Sequence, residues 1–219
     1  MSVLVLGAEG MLGLALCREL VRRPSGGAVV AGVRGRHPRT PLPPSVRLAP
    51  AIEARDLASV EAALQNHRPH TVINAIGIVK GRPEGDDFGA LMAVNGCFPH
   101  HLASLCRRMG SRLLHISSDC VFDGLRGNYG EADSASARDP YGRSKALGEV
   151  TGDGAMTLRT SMIGFEGLTR RGLLAWFLHA AGPVRGYTNA RFSGPTAPEL
   201  ARLVARIIAA PEPFGGLLH

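Results

Sequence analysis

Met1-Ser2-Val3-Leu4-Val5-Leu6 leads directly into Gly7-Ala8-Glu9-Gly10-Met11-Leu12-Gly13, and the chain continues as Leu14-Ala15-Leu16-Cys17-Arg18-Glu19-Leu20-Val21-Arg22-Arg23. The first six residues form a short apolar run suited to a buried parallel strand. The segment 14–23 reads as a helix. Strand, glycine turn and helix in this order provide the setting of a phosphate-binding loop. The glycines let the main chain approach a pyrophosphate, and the free N–H groups at the helix start hold it. The spacing is Gly-x-x-Gly-x-x-Gly rather than Gly-x-Gly-x-x-Gly, and such a turn also serves tight strand–helix packing. Gly7, Gly10, Met11, Leu12 and Gly13 are therefore the candidate nucleotide-binding residues.

The same alternation continues along the chain. Apolar runs predict strands at 28–33, 46–49, 70–76, 112–117 and 156–159, with a proline-rich loop over 37–44. Helical patterns cover 56–66, 87–109, the stretch after Pro140, and 168–180. Repeated β–α order predicts an α/β fold, a Rossmann-type doubly wound parallel sheet. Residues 1–160 are expected to form the nucleotide-binding domain. Residues 161–219 are expected to form a partial substrate lobe mixed with the last elements of the sheet.

Bulk properties narrow the function. The chain has 219 residues, is 45% hydrophobic and carries a formal net charge of +7. That length can bury a sizeable core, and no apolar run is long enough to span a membrane. The N-terminus lacks the basic-then-apolar layout of a signal peptide, and four scattered cysteines read as reduced core thiols, so a cytoplasmic location without a metal site is expected. The arginines are dispersed in pairs (Arg22-Arg23, Arg107-Arg108, Arg170-Arg171) and aromatics make up only 5%. A basic face for nucleic acid is not expected on that pattern, whereas a small anionic ligand suits it.

Several residues bear on the choice of nucleotide. Dinucleotide-binding units that prefer NAD place a carboxylate on the ribose hydroxyls about 20 residues past the glycines. Here Val33 is followed by Arg34, with Arg36 close by and no acid in reach, which favours NADP and its 2′-phosphate. The alternative is that Arg34 is one of many surface arginines. Asp56-Leu57 opens a helix after a strand, where the carboxylate either accepts the adenine amino group or caps the helix. Asn74-Ala75-Ile76-Gly77 ends a strand with small residues, as a bound ribose or an ordinary glycine turn requires. Asn95 lies in a helical stretch, where asparagine is a poor choice unless it bonds something.

Tyr141-Gly142-Arg143-Ser144-Lys145 carries the chemistry. Of 25 basic residues only Lys80 and Lys145 are lysines, and Lys145 stands four residues after one of three tyrosines. That spacing shares a helix face, and an ammonium there is expected to lower the phenol's pKa towards neutrality. Asp139 is a candidate cap, Pro140 suits the first helical position, and Ala146, Leu147 and Val150 give an apolar stripe. Upstream, His115-Ile116-Ser117-Ser118-Asp119-Cys120 is a strand running into two serines and an aspartate. A hydroxyl there can bind a substrate carbonyl oxygen and help Tyr141 polarise it.

Together the glycine turn, NAIG, ISSDCVFDG, GNYGEAD, DPYGRSKALGE and LRTSMIG resemble the extended short-chain dehydrogenase/reductase superfamily. More narrowly, they resemble the dTDP-4-dehydrorhamnose reductases and related UDP-sugar reductases of capsule or lipopolysaccharide biosynthesis. Residues 185–194 (RGYTNARFSG) look like the UDP-sugar branch. The resemblance implies a catalytic set of Ser118 as the hydroxyl, Tyr141 as the acid, and Lys145 as the residue that holds the nicotinamide ribose and tunes Tyr141. It places Ala75, Ile76, Gly77, Thr160 and Ser161 beside the cofactor, and Asp119, Cys120, Asn189, Phe192 and Ser193 on the nucleotide-sugar side. It also allows a homodimer. Members of the group run well past 219 residues, so a truncated substrate lobe is expected.

Overall fold

Val3–Leu6 forms β1, the third strand of a parallel sheet that is seven-stranded among the described residues; all four side chains are buried because helices cover both sheet faces. The computed structural model describes residues 2–23, 27–81, 83–152, 154–166, 172–211 and 214–219. Its further strands are β2 (Val29–Gly32), β3 (Arg47–Ala49), β4 (Thr71–Asn74), β5 (Arg112–Ile116), β6 (Ala155–Leu158) and β7 (Gly216–Leu218). Their order is β3-β2-β1-β4-β5-β6-β7, with every neighbouring pair parallel. The winding reverses at β1, which pairs with β2 on one side and β4 on the other. Doubly wound sheets take their ligands at such a switch, outside the carboxyl ends of the strands.

The helices are α1 (Met11–Leu20), α2 (Leu57–His67), α3 (Phe88–Leu91), α4 (Phe98–Arg108), α5 (Pro140–Leu147), α6 (Leu173–Leu178) and α7 (Ala197–Ala209). Two apolar layers follow from the alternation of strand side chains. On one face Val3, Val5, Leu114 and Leu158 meet α1 and α7 through Leu16, Leu200 and Val204. On the other, Leu4, Leu6, Val72 and Leu113 meet α2 and α4 through Leu64, Phe98 and Leu102.

Four elements differ from the sequence expectation. α1 begins at Met11 rather than Leu14, because Gly10 in extended conformation already serves as its cap. The helix expected over 87–109 is divided by a π-helical turn, Met92–Cys97. Pro99 explains the division: it has no N–H to offer the Asn95 carbonyl, and its ring disfavours a regular turn. The freed Asn95 carbonyl lies so close to Gly148 that a Cβ there would collide with it. In the stretch read as helix 168–180, helix is present at Leu173–Leu178, and residues 168–171 lie outside the described residues.

α7 was not anticipated, although its start is well marked. Thr196 accepts the Glu199 N–H through its hydroxyl, Pro198 occupies the first turn, and Leu200, Ala201, Val204, Ala205 and Ile208 are buried in a stripe. Leu147, expected on a buried stripe, is exposed, because α5 ends there and Val150 enters the core from beyond it. The cysteines also divide: Cys17 and Cys106 are buried thiols, Cys97 is exposed and Cys120 is half-buried.

Candidate active site

The glycine turn after β1 is shaped by close approach. Gly7 has φ +76°, and a Cβ there would stand 2.8 Å from the Ala75 carbonyl oxygen. A Cβ on Gly13 would run into the Gly7 carbonyl, so only glycine lets α1 come this near β1. Gly10 donates its N–H to the Gly7 carbonyl at 3.0 Å, and no side chain caps the helix. The first N–H groups of this ten-residue helix therefore lack side-chain acceptors, as an anion site requires. Leu12 is core, so its backbone alone is offered; Met11 packs against Gly164.

Around that turn the carboxyl ends of the strands bring the expected residues to one edge of the sheet. Past β2, Arg34 is exposed, and its Nε lies 3.4 Å from Glu53 Oε2. An acid is thus in reach of Arg34 after all, supplied by the segment after β3 that the sequence gives no reason to place there. Asp56 caps α2, accepting the Ala58 N–H at 3.1 Å, and is exposed. Past β4, Ala75 donates its N–H to the Leu6 carbonyl, and Ile76 donates to Asn74 Oδ1 at 3.1 Å. Asn74 Nδ2 lies 3.0 Å from His115 Nδ1. Burial, with Lys145 and His100 adding to it, holds His115 well below the usual imidazole range, so it is neutral.

Asn95 bonds the same loop. Its Oδ1 accepts the Ile78 N–H, and its Nδ2 donates to the Ile78 carbonyl, both at 2.9 Å, and to Ser144 Oγ at 3.2 Å. Ser144 in turn donates to the Tyr141 carbonyl at 2.7 Å. This buried chain fastens the loop after β4, which holds Gly77, to the helix that carries Tyr141.

Ser118, Tyr141 and Lys145 converge past β5. Ser118 caps the 3-10 turn Asp119–Val121, accepting the Cys120 N–H at 3.1 Å. Asp139 and Pro140 start α5 as expected, with Asp139 Oδ1 accepting the Gly142 N–H at 3.1 Å. Gly142 is required there, because a Cβ would strike the Cys120 carbonyl. Burial pushes the Tyr141 phenol up, its hydrogen bond with Ser118 pulls it back, and Cys120, Asp119 and Asp139 push it further up. Burial raises the Cys120 thiol as well, against a lowering hydrogen bond from Ser118.

Lys145 corrects one expectation. Its ammonium donates to the Ile116 carbonyl at 2.7 Å, and the phenol that it is expected to bring towards neutrality is instead raised. Burial brings its pKa down to about 8, opposed by the Glu149 carboxylate. The unfolded chain therefore binds this proton more tightly than the folded one. Stability rises as pH climbs from about 8 to 10.5, and the cost of the buried charge is fully present below 8. Lys145→Met is expected to stabilise the fold by up to about 3 kcal/mol at pH 7, measured by denaturant unfolding. A midpoint at or below that of the wild type would show that the bond to Ile116 outweighs desolvation.

Two residues that the sequence reading passed over complete the frame. Glu149 Oε1 accepts Ser117 Oγ at 2.9 Å and Arg159 Nε at 2.8 Å, and its Oε2 accepts Arg159 Nη2 at 2.8 Å. Their side chains are 12% and 5% exposed. The available signal was slight, a charge beside apolar residues at Glu149-Val150 and at Leu158-Arg159. Just past Arg159, Thr160 Oγ1 donates to the Ser161 carbonyl at 2.8 Å. Gly194 returns to this point: a Cβ on it would stand 2.5 Å from the Ser161 carbonyl oxygen and 2.7 Å from the Phe192 ring. Phe192 is thereby near Ser161, while Asn189, Phe192 and Ser193 are all exposed. Among the described residues no group of His, Cys, Asp and Glu could hold a metal ion, and no helix is long and apolar enough to cross a membrane.

A doubly wound parallel sheet with an uncapped glycine turn at its switch, and Ser, Tyr and Lys side chains past β5, defines a Rossmann-type domain of the extended short-chain dehydrogenase/reductase class. Within that class the chain belongs to the RmlD substrate binding domain family, whose model matches residues 1–212. It is 34% identical over 186 residues to the dTDP-4-dehydrorhamnose reductase of Streptomyces griseus, covering 82% of this chain and 51% of that one. It is 36% identical over 148 residues to the dTDP-4-keto-6-deoxy-D-glucose reductase of Streptomyces niveus, covering 67% of this chain and 45% of that one. The chain thus spans about half the length of the curated relatives it matches. A solved dTDP-4-dehydrorhamnose reductase of Bacillus anthracis, in complex with NADP, shares the fold with a TM-score of 0.78 at 20% identity, covering 95% of this chain and 71% of that one.

Proposed function

We propose that the chain is the NADPH-binding and catalytic part of a reductase acting on the 4-keto group of a nucleotide-activated deoxysugar, in the cytoplasmic supply of a cell-surface polysaccharide. The convergence of Ser118 and Tyr141 at the carboxyl end of the sheet carries this reading. The names of the relatives support the substrate class. The fit of a dinucleotide rests on the Gly7–Gly13 turn, which a Cβ would fill, and on the uncapped start of α1. Gly7, Gly10 and Gly13 with the N–H groups of Met11 and Leu12 would hold the pyrophosphate, Arg34 the 2′-phosphate, and Asp56-Leu57 the adenine. Ala75, Ile76, Gly77, Lys145, Thr160 and Ser161 would line the nicotinamide riboside. When bound, the reduced nicotinamide supplies hydride to the keto carbon.

The chain's own part is the proton. Ser118 donates a hydrogen bond to the keto oxygen and fixes it beside Tyr141, which gives that oxygen its phenolic proton. A phenol raised by burial is fully protonated at neutral pH and so is ready as an acid. Asp119, Cys120, Asn189, Phe192 and Ser193 are assigned to the sugar-nucleotide side, with 161–219 supplying both a partial lobe and the α7–β7 end of the sheet.

Fluorescence titration with NADPH and NADH tests the cofactor half. Micromolar binding with NADPH preferred is expected, and Arg34→Ala is expected to weaken NADPH about tenfold while leaving NADH unchanged, as loss of one phosphate contact requires. Equal effects on both would remove Arg34 from the 2′-phosphate site. Consumption of NADPH with a 4-keto sugar nucleotide tests the rest; tight binding without consumption would overturn the reductase assignment.

A further inference from the structure

The chain's two lysines both belong to the surroundings of α5, and the reading of Tyr141 as a proton donor uses neither of them, Lys145 being assigned to the nicotinamide riboside. Lys80 stands in the loop after β4. Its Nζ lies 3.1 Å from Asp139 Oδ2 and 5.5 Å from the centre of the Tyr141 ring, within the range of a cation–π contact. Asp139 is shared, since its other oxygen caps the helix that Tyr141 rides on. Burial would raise the Asp139 carboxyl, but the Gly142 N–H and the Lys80 ammonium more than offset this and hold it below the usual carboxylate range.

Magnitudes separate two possible roles. As a tether Lys80 adds little: the pair is about half exposed, such pairs contribute at most about 1 kcal/mol, and the buried Asn95–Ser144 bridge already ties this loop to α5. As a charge it matters more. A unit charge at the Lys80–ring distance changes a proton affinity by about half a pH unit even at the dielectric of water. The groups facing the phenol from the 3-10 turn and the helix cap, the Asp119 and Asp139 carboxylates and the Cys120 thiol, all disfavour its ionised form. Lys145, on the helix itself, directs its ammonium to the Ile116 carbonyl.

We propose that Lys80 is a positioning residue for Tyr141: held by Asp139 against the phenol ring, it offsets the negative charges of Asp119 and Asp139 and favours release of the phenolic proton. Giving that proton to a ketone oxygen leaves a phenolate, and Lys80 is the cation placed to receive it. The inference rests on the reading of Tyr141 as the acid of the reaction, but its test does not require turnover.

The test is a titration of tyrosinate absorbance in the substrate-free protein. There are three tyrosines, so the difference between each protein and its Tyr141→Phe counterpart isolates the one of interest. Because a lysine ammonium loses its charge in the same pH range as a raised phenol, Lys80→Met is expected to raise the Tyr141 midpoint by up to about half a unit, Lys80→Arg, charged throughout, to hold it at or below that of the wild type, and added salt to shrink the differences. A structural role alone would move the melting temperature and leave this midpoint in place. An unchanged midpoint in Lys80→Met, and again in Lys80→Gln, with circular dichroism like the wild type, would overturn the proposal. Where keto-sugar turnover is measured, the pH profile of kcat should move with the midpoint and KM should not. A wild type that turns over no keto-sugar nucleotide would sink the reductase reading, and the titration would still decide the role of Lys80.

Discussion

Tyr141→Phe is expected to slow NADPH-dependent reduction of a 4-keto sugar nucleotide by roughly 10²- to 10⁴-fold, the range associated with loss of a general acid. The substitution removes one oxygen and keeps the ring. The ring's environment explains why the fold should tolerate this: Tyr141 sits in the first turn of α5, and that turn is fixed by Asp139, by the Gly142 contact and by Ser144 rather than by the phenol oxygen. Cofactor affinity and melting temperature should therefore stay near those of the wild type. Ser118 would remain to hold the keto oxygen, so a residual rate above background is expected. A rate within a few-fold of the wild type, with the same KM, would mean that another group delivers the proton.

Glu149→Ala is expected to destabilise the fold by about 3–5 kcal/mol, the cost of breaking a buried ion pair by removing one partner. Arg159 would be left with its charge nearly sealed from water, with one guanidinium nitrogen already lacking a hydrogen-bond partner. Ser117 would lose its acceptor in the same step, next to Ser118. Against a total stability of roughly 5–15 kcal/mol for a domain, that change should be plain in the urea midpoint. Replacing both partners by apolar residues of similar volume, Glu149→Leu with Arg159→Met, is expected to recover much of the loss, because the isolated charge is what costs most. A single variant as stable as the wild type would show that water reaches Arg159 and that the pair contributes little. The pair joins the end of α5 to the carboxyl ends of β5 and β6, so activity should fall along with stability.

Much of this was legible from local sequence. Val3–Leu6, Val29–Gly32 and Thr71–Asn74 are short apolar runs between polar or glycine-containing turns, and a strand buried on both faces needs little else. Asp139-Pro140 marked the start of α5, because capping chemistry is confined to a few adjacent residues. Where the reading failed, the cause was of two kinds. Pro99 and Thr196-Ala197-Pro198-Glu199 carry local signals, a missing N–H and a capping pattern, that account for the broken helix and for α7. Glu53 beside Arg34, and the Lys145 ammonium on the Ile116 carbonyl, carried no local signal.

The sequence by itself determined the alternation of strands and helices up to β6, the glycine turn, and which residues are candidates for binding and for proton transfer. Backbone propensity, hydrophobic spacing and capping are properties of neighbours along the chain, so they survive without coordinates. The tertiary structure alone decided which charges meet. Glu149 with Arg159, Glu53 with Arg34 and Lys80 with Asp139 each join segments separated along the chain. Electrostatic effects depend on distance and burial in space, and spacing in sequence sets neither. Tyr141 and Lys145 lie on one helix, as their spacing requires, yet it is Lys80, folded in from the loop after β4, that places its charge against the phenol ring.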